Sequence, residues 1–209
     1  MIAIIDYGMG NIHSIKKALE NCGAKTLVTN KAQDIRKCNK VVLPGVGAFA
    51  DAMHELRKRG LVVALREHIT DQKIFLGICL GMQLLFQESE EAPDVKGLGL
   101  LKGSVIKFKA RPKYPVPQIG WNQLKIKLKV KSQKSKECPL LKDIPNGAYV
   151  YFCHSYYPLP ADKKVNAASC AYGVNFAAVA WKDNIYGTQF HPEKSQEIGM
   201  QMLKNFVNL

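Results

Sequence analysis

Ile74-Phe75-Leu76-Gly77-Ile78-Cys79-Leu80-Gly81 runs straight into Met82-Gln83-Leu84-Leu85-Phe86. The first part is an apolar run of strand length. The second places Met82, Leu85 and Phe86 at helical spacing. A strand that turns sharply into a helix at a Gly-x-Cys-x-Gly junction is one unit of a strand–helix alternation. Upstream the alternation repeats. VVLPG (41–45), TLVT (26–29) and IAIIDY (2–7) are short apolar runs. Helical stretches separate them over residues 32–38, 50–58 and 61–70. A further helix starts at Asn11, with Ile12, Ile15 and Leu19 on one side. Strands alternating with helices predict crossover connections and a parallel sheet with helices on both faces.

After Gly97 the pattern changes. SVIKFKA, WNQLKIKLKV, AYVYFCHSYYPL, NAASCAYG and AAVAWKDNIYGTQF follow one another with no helical pattern between them. Hairpins are the simplest connection, so this half should contain antiparallel strands. In LKIKLKV, Leu124, Ile126, Leu128 and Val130 alternate with Lys125, Lys127, Lys129 and Lys131. Period two predicts a strand with one packed face and a lysine row on the other. KSQKSKE (131–137) reads as a hairpin tip or surface loop. The chain closes on an amphipathic helix over residues 196–207. The expected fold is α/β, with a mainly parallel central sheet flanked by helices and an added antiparallel portion in the second half. No repeat or linker divides the chain, so residues 1–209 read as one domain.

The composition narrows the function. With 47% apolar and 22% charged residues, the chain is neither disordered nor a disulfide scaffold. The net charge of +13 suggests an anionic partner until it is located. Residues 102–142 hold twelve Lys or Arg and a single acid, Glu137, and the remainder is nearly neutral. The lysines have little aromatic interleaving, and lysines on an edge strand also block edge-to-edge pairing. No nucleic-acid or membrane partner is therefore expected. The N-terminal run lacks a basic flank, and no stretch approaches a membrane span. Six cysteines without a Cys-x-x-Cys pair, and no His pair at zinc-ligand spacing, point to reduced thiols in a cytoplasmic protein without a structural metal.

Cys79 carries the first chemical signal. A nucleophile at a strand-to-helix junction sits in strained backbone geometry, and small residues two positions either side relieve the crowding. The free N–H groups beyond it favour negative charge and can hold a developing oxyanion. The bland alternative is a buried Cys at a Gly-flanked strand end. Gln189-Phe190-His191-Pro192-Glu193-Lys194-Ser195 supplies the second signal. A thiol nucleophile needs a base, and the base an orienting carboxylate. His191 and Glu193, two apart across a stiff Pro192, fit those roles. Leu43-Pro44-Gly45-Val46-Gly47-Ala48-Phe49 is the third, a Gly-rich turn able to aim N–H groups beyond the carboxyl ends of the strands. It lacks the Gly-Lys-Ser/Thr of a phosphate loop.

PGVGAF, GICLGMQLLF and YGTQFHPEKS together resemble the class I (triad-type) glutamine amidotransferases. DYGMGNIHSIKKAL, SEEAPDVKGLGLL, IGWNQL and FCHSYY resemble more narrowly the branch of that family that serves histidine biosynthesis. The likeness spans essentially the whole chain. It implies a glutaminase in which Cys79 attacks the side-chain amide of glutamine and forms a glutamyl thioester. His191 would relay protons and Glu193 would orient His191. It implies backbone oxyanion donors at Leu80 and Val46, and glutamine held by Gln83 and Glu91 with His154, Ser155 and Tyr156 as a pocket wall. An alternative for Glu90 and Glu91 is an acidic surface turn. Free ammonia in neutral water is mostly ammonium, so the resemblance also implies a partner. This would be a (βα)8-barrel synthase that takes the ammonia to make imidazole glycerol phosphate and an aminoimidazole carboxamide ribotide, docked near Asn11 and Lys194. No cofactor is called for.

Two other readings share some of these residues. In one, the same glutaminase supplies a different amidotransferase, such as one modifying surface-polysaccharide sugars. QIGWN in place of MGWN and the basic 102–142 segment motivate it. In the other, the triad is that of a hydrolase such as a peptidase, against which DYGMGN and GWN argue.

Overall fold

The computed structural model describes residues 1–127 and 137–209. In its first half β1 (Ile2–Ile5), β2 (Thr26–Thr29), β3 (Lys40–Gly45) and β4 (Ile74–Cys79) alternate with α1 (Ile12–Asn21), α2 (Ala32–Lys37), α3 (Phe49–Lys58) and α4 (Leu61–Thr70). β1 shows why these runs make a central sheet. All four of its residues are buried, and they alternate between two cores. Ile2 and Ile4 face the core that receives Ile15 and Leu19 of α1. Ala3 and Ile5 face the core that receives Ile35 of α2, Met53 and Leu56 of α3 and Leu65 of α4. Covering both faces is what a parallel sheet requires.

The helix after β4 is much shorter than the sequence suggested. α5 spans Leu80–Gln83, a single turn, and Leu84, Leu85 and Phe86 continue as turns buried in the second core. Their apolar spacing records burial on all sides instead of a helical stripe. With one turn, the helix dipole offers Cys79 little, and individual N–H groups matter instead.

The second half contains β5 (Glu88–Ser89), β6 (Gly103–Lys107), β7 (Gln118–Gln123), β8 (Lys125–Ile126), β9 (Tyr149–His154), β10 (Tyr156–Pro160), β11 (Asn166–Ala171), β12 (Asn175–Lys182) and β13 (Ile185–Thr188), before α6 (Gln196–Val207). The main sheet runs β2-β1-β3-β4-β13-β12-β11-β8. Its first five strands are parallel, and β12, β11 and β8 are added antiparallel. The fold class thus matches the sequence expectation. Two small sheets stand apart, β10-β6-β5 and β7-β9.

Two sequence expectations change here. LKIKLKV is not one strand, for Leu124 is a fully buried break between β7, which pairs with β9, and β8, which pairs with β11. The alternation survives only locally, with Lys125 exposed on the last strand of the main sheet, Ile126 partly buried and Lys127 exposed just beyond it. Leu128, Lys129, Val130 and Lys131, with most of the 131–137 loop, lie outside the described residues. Likewise AYVYFCHSYYPL, read as one segment, is divided between β9 and β10. They part at Ser155 and join different sheets, because Ser155 spends its carbonyl on Phe108 N–H.

β13 is the strand that builds the site. A tight Asp183–Asn184 turn, with Asp183 at φ 52°, returns β12 into β13. Asn184 then donates to the carbonyls of Ile69 and Lys73 at 2.9 and 2.7 Å, pinning the turn to the start of β4. β13 consequently lies parallel to β4 in a register that sets Thr188 beside Ile78. α6 closes the α1 side with Met202, Leu203 and Phe206 fully buried.

Candidate active site

β4 ends at Cys79 between two neighbours. On one side β3 pairs Pro44 with Ile78 and Gly45 with Cys79. On the other, Thr188 pairs with Ile78, so the residues after β13 emerge beside the same cysteine. Three sequence signals far apart in the chain thus meet at the carboxyl ends of adjacent parallel strands, where open α/β sheets place ligands.

Cys79 has φ 54° and ψ −110°, a backbone state that costs an L-residue about 1–3 kcal/mol. The surroundings enforce it. A Cβ on Gly77 would sit 2.5 Å from the Gly81 carbonyl oxygen, and one on Gly81 would run into the Leu43 carbonyl. Gly45 is equally confined, its missing Cβ lying within 2.7–2.9 Å of Tyr7, Leu80 and Gly81. The elbow and the Gly-rich loop are packed directly on each other.

His191 follows in an extended conformation, and a 3₁₀ turn over Pro192–Lys194 brings Glu193 back to it. The turn brings together the two residues that the sequence reading paired across Pro192. His191 Nδ1 meets Glu193 Oε1 at 2.8 Å, and both side chains are nearly inaccessible, at 5% and 3%. Burial alone would push the imidazole down. The adjoining Cys79 sulfur and the Glu193 carboxylate outweigh it and raise His191 to about 10. That is the setting of a base able to hold a proton taken from the sulfur. Ser195 is fully buried and does not cap α6 with its side chain. Its hydroxyl donates to the His191 carbonyl at 2.6 Å and accepts from Tyr151 N–H at 3.0 Å. His191 N–H donates to the Tyr151 carbonyl. His191 is therefore fixed by its backbone as well as by its ring.

The remaining expected residues are placed unevenly. Leu80 N–H opens α5 directly after the sulfur-bearing residue, and Val46 is exposed beside Gly47, which has φ 98°. Gln83 is buried one turn beyond Cys79, donating from Nε2 to the Tyr156 carbonyl at 2.9 Å. Glu91 is no idle surface acid. Its Oε2 accepts from Phe49 N–H at 2.9 Å, tying it to the start of α3 just past the Gly-rich loop. Tyr156 meets Gln83 through its backbone carbonyl, whereas the Ser155 carbonyl is turned to Phe108 N–H. The His154 ring lies in an aromatic core against Phe108, Phe152 and Phe176, and it donates from Nδ1 to the Tyr156 carbonyl at 2.7 Å. Asn11 caps α1 by accepting from Ser14 N–H, and exposed Lys194 lies 5.9 Å from the Tyr151 ring centroid. The 192–194 turn touches α1, so both belong to one side of the molecule.

The sequence reading passed over Gln189. It is fully buried, and its Nε2 lies 3.6 Å from the Cys79 sulfur. The available signal was a polar residue between Thr188 and Phe190, just where β13 leaves the sheet.

Comparison with known proteins agrees with this architecture. The family described as glutamine amidotransferase class-I matches residues 3–209. The chain belongs to that family. It is 46% identical to the imidazole glycerol phosphate synthase subunit HisH of Geobacter sulfurreducens, over 98% of this chain and 97% of that one. It is 49% identical to the protein of the same name from Bacillus cereus (strain B4264), over 99% and 93%. Among solved structures, PurLQS from Thermotoga maritima shares the fold, with a TM-score of 0.73 at 19% identity over 99% of this chain and 97% of that one. The chain is an enzyme, a glutamine amidotransferase.

Proposed function

We propose that this chain is the glutaminase subunit of an imidazole glycerol phosphate synthase in histidine biosynthesis, working as a single amidotransferase unit over residues 1–209 in the cytoplasm. The observation that carries the chemistry is the meeting of Cys79, His191 and Glu193 at the ends of β4 and β13. The full-length likeness to HisH proteins supports the pathway, and nothing in it favours the sugar-modifying alternative.

In this mechanism the Cys79 sulfur attacks the side-chain carbonyl carbon of glutamine, and His191 takes the thiol proton. The oxyanion accepts hydrogen bonds from the Leu80 N–H and, once the loop reorients, from the Val46 N–H. Collapse breaks the carbon–nitrogen bond, and His191 hands its proton to the departing ammonia, leaving a glutamyl thioester. His191 then takes a proton from water, whose oxygen attacks the thioester and releases glutamate and the thiol. Glu193 keeps the imidazole in the tautomer that leaves Nε2 toward the sulfur. Gln83 and Glu91 hold the amino-acid end of the substrate, and no metal or cofactor enters.

The ammonia passes to a (βα)8-barrel synthase in a heterodimer. An exposed apolar face supports such docking. Ile119, Trp121 and Tyr149 are 63%, 45% and 55% exposed on the β7-β9 sheet, beside Tyr151 and Lys194. Apolar side chains exposed together beside a reactive site are the kind of surface that a partner covers. The test is glutamate release by the purified chain, alone and with the barrel synthase carrying its phosphoribulosyl-formimino ribotide. Release should be slow alone and rise with the loaded partner. A chain that turns over glutamine but neither binds nor responds to that synthase overturns the pathway assignment.

A further inference from the structure

Gln189 sits at the centre of a hydrogen-bond chain whose polarity can be deduced from its fixed end. The Tyr156 carbonyl can only accept. The Gln83 side-chain atom 2.9 Å from it must therefore be the nitrogen. That same Nε2 lies 3.0 Å from a Gln189 side-chain atom, which must then be the oxygen. The Gln189 nitrogen is left facing the Cys79 sulfur at 3.6 Å, where it donates. His154 donates into the same Tyr156 carbonyl from behind at 2.7 Å. Every orientation follows from one backbone acceptor.

We infer that Gln189 is a positioning residue for the glutaminase reaction, locking the Cys79 sulfur and Gln83 into one frame and so fixing what each presents to glutamine. The inference rests on the proposed role of Cys79. Two consequences follow. The sulfur receives a hydrogen bond that stabilises its anion and holds it in a single rotamer, from a side chain with no exposed surface and no freedom to swing away. Gln83 has its amide nitrogen committed twice, to Tyr156 and to Gln189, so Oε1 is its remaining group for the substrate. Gln83 then recognises glutamine as an acceptor, of the ammonium or of the side-chain N–H, and cannot serve as a donor to the carboxylate. Gln189 also leaves β13 two residues before His191, so one strand end delivers both the base and the donor to the sulfur.

Two substitutions separate the two limbs. Gln189→Glu keeps the shape and can still accept from Gln83, but turns an oxygen toward the sulfur. Gln189→Leu removes both bonds. In the complex with the loaded synthase, Gln189→Glu should lower kcat by about 10- to 100-fold, the range for losing a hydrogen bond to a charged group, with KM for glutamine little changed. Its Cys79 should react with iodoacetamide only at higher pH, the midpoint of the profile moving up. Gln189→Leu should add a several-fold rise in KM. Thermal melts check folding, and if the leucine variant fails to fold, the glutamate variant carries the test. Two folded variants with unchanged kcat, KM and alkylation profile would overturn the inference while leaving the nucleophile assignment intact. Cys79→Ala, measured alongside, settles the latter separately, since full activity in it would sink both.

Discussion

The two strands that flank β4 end in opposite ways. Past β13 everything is fixed, with Gln189, His191 and Ser195 buried and tied to Cys79, Glu193, Tyr151 and one another. Past β3 the chain runs into Val46, 43% exposed, and Gly47 in a left-handed conformation. The proposed base side is built in advance and the proposed oxyanion side is left open. A glutaminase arranged so can hold its nucleophile and base ready while turning over little until something sets the loop. Met9 lies against the Gly47 position and Gly10 against Pro44, so the turn bearing Asn11 is placed to transmit contact at the surface to that loop.

Breaking the fixed side should have the largest effects. Cys79→Ala should lower glutamate release by about 10⁴-fold or more, loaded partner or not, measured in a coupled glutamate assay. Glu193→Gln keeps the shape but loses the charge that supports the imidazolium. A fall of about 10²- to 10⁴-fold in kcat, with KM less affected, is expected from steady-state kinetics. The open side should respond more weakly and conditionally. Val46→Pro removes one N–H in an exposed loop and should cut partner-stimulated turnover by about 10²-fold, with basal turnover and the melting temperature nearly unchanged. An equal loss in the basal rate would mean that the loop is already set without a partner.

The smallest effect tests the packing behind the fixed side. Burial pushes His154 down to about 4. The unfolded chain takes up this proton near its usual value of about 6.5, so between those limits the unfolded state binds more protons. The stability from keeping His154 neutral is complete above about pH 6.5 and is lost as pH falls toward 4. Urea denaturation should show about 2 kcal/mol less stability at pH 5 than at 7.5 from this group, and His154→Gln should flatten that slope.

The same contrast shows how far a sequence can be read. The first four strands, α1 to α4 and α6 declare themselves because each has one local period, whereas the single turn after β4 did not. The end of α6 and the span of β2 were legible to the residue for this reason. Cys79, His191 and Glu193 were legible because their chemistry demands one another. β7, β8, β9 and β10 were not, since single apolar runs split between sheets at Leu124 and Ser155, where long-range hydrogen bonds override the local period. The resemblance set His154 in the pocket wall, and no local pattern in the sequence announced the aromatic rings that surround it. Gln189 was hidden by its neighbours, because its partners Gln83 and Cys79 lie more than a hundred residues away. The net charge of +13 has a narrower meaning too. Within the basic 102–142 segment, Lys125 sits on the edge strand farthest from β2, with Lys127 just past it.

The central claim is a glutamyl thioester on Cys79. Acid quenching of the complex during turnover of glutamine, followed by mass analysis of the peptide containing Cys79, tests it directly. The account predicts a glutamyl adduct on that cysteine that is absent from Cys79→Ala. Glutamate formed at the wild-type rate with no adduct, or with the adduct on another residue, would contradict it.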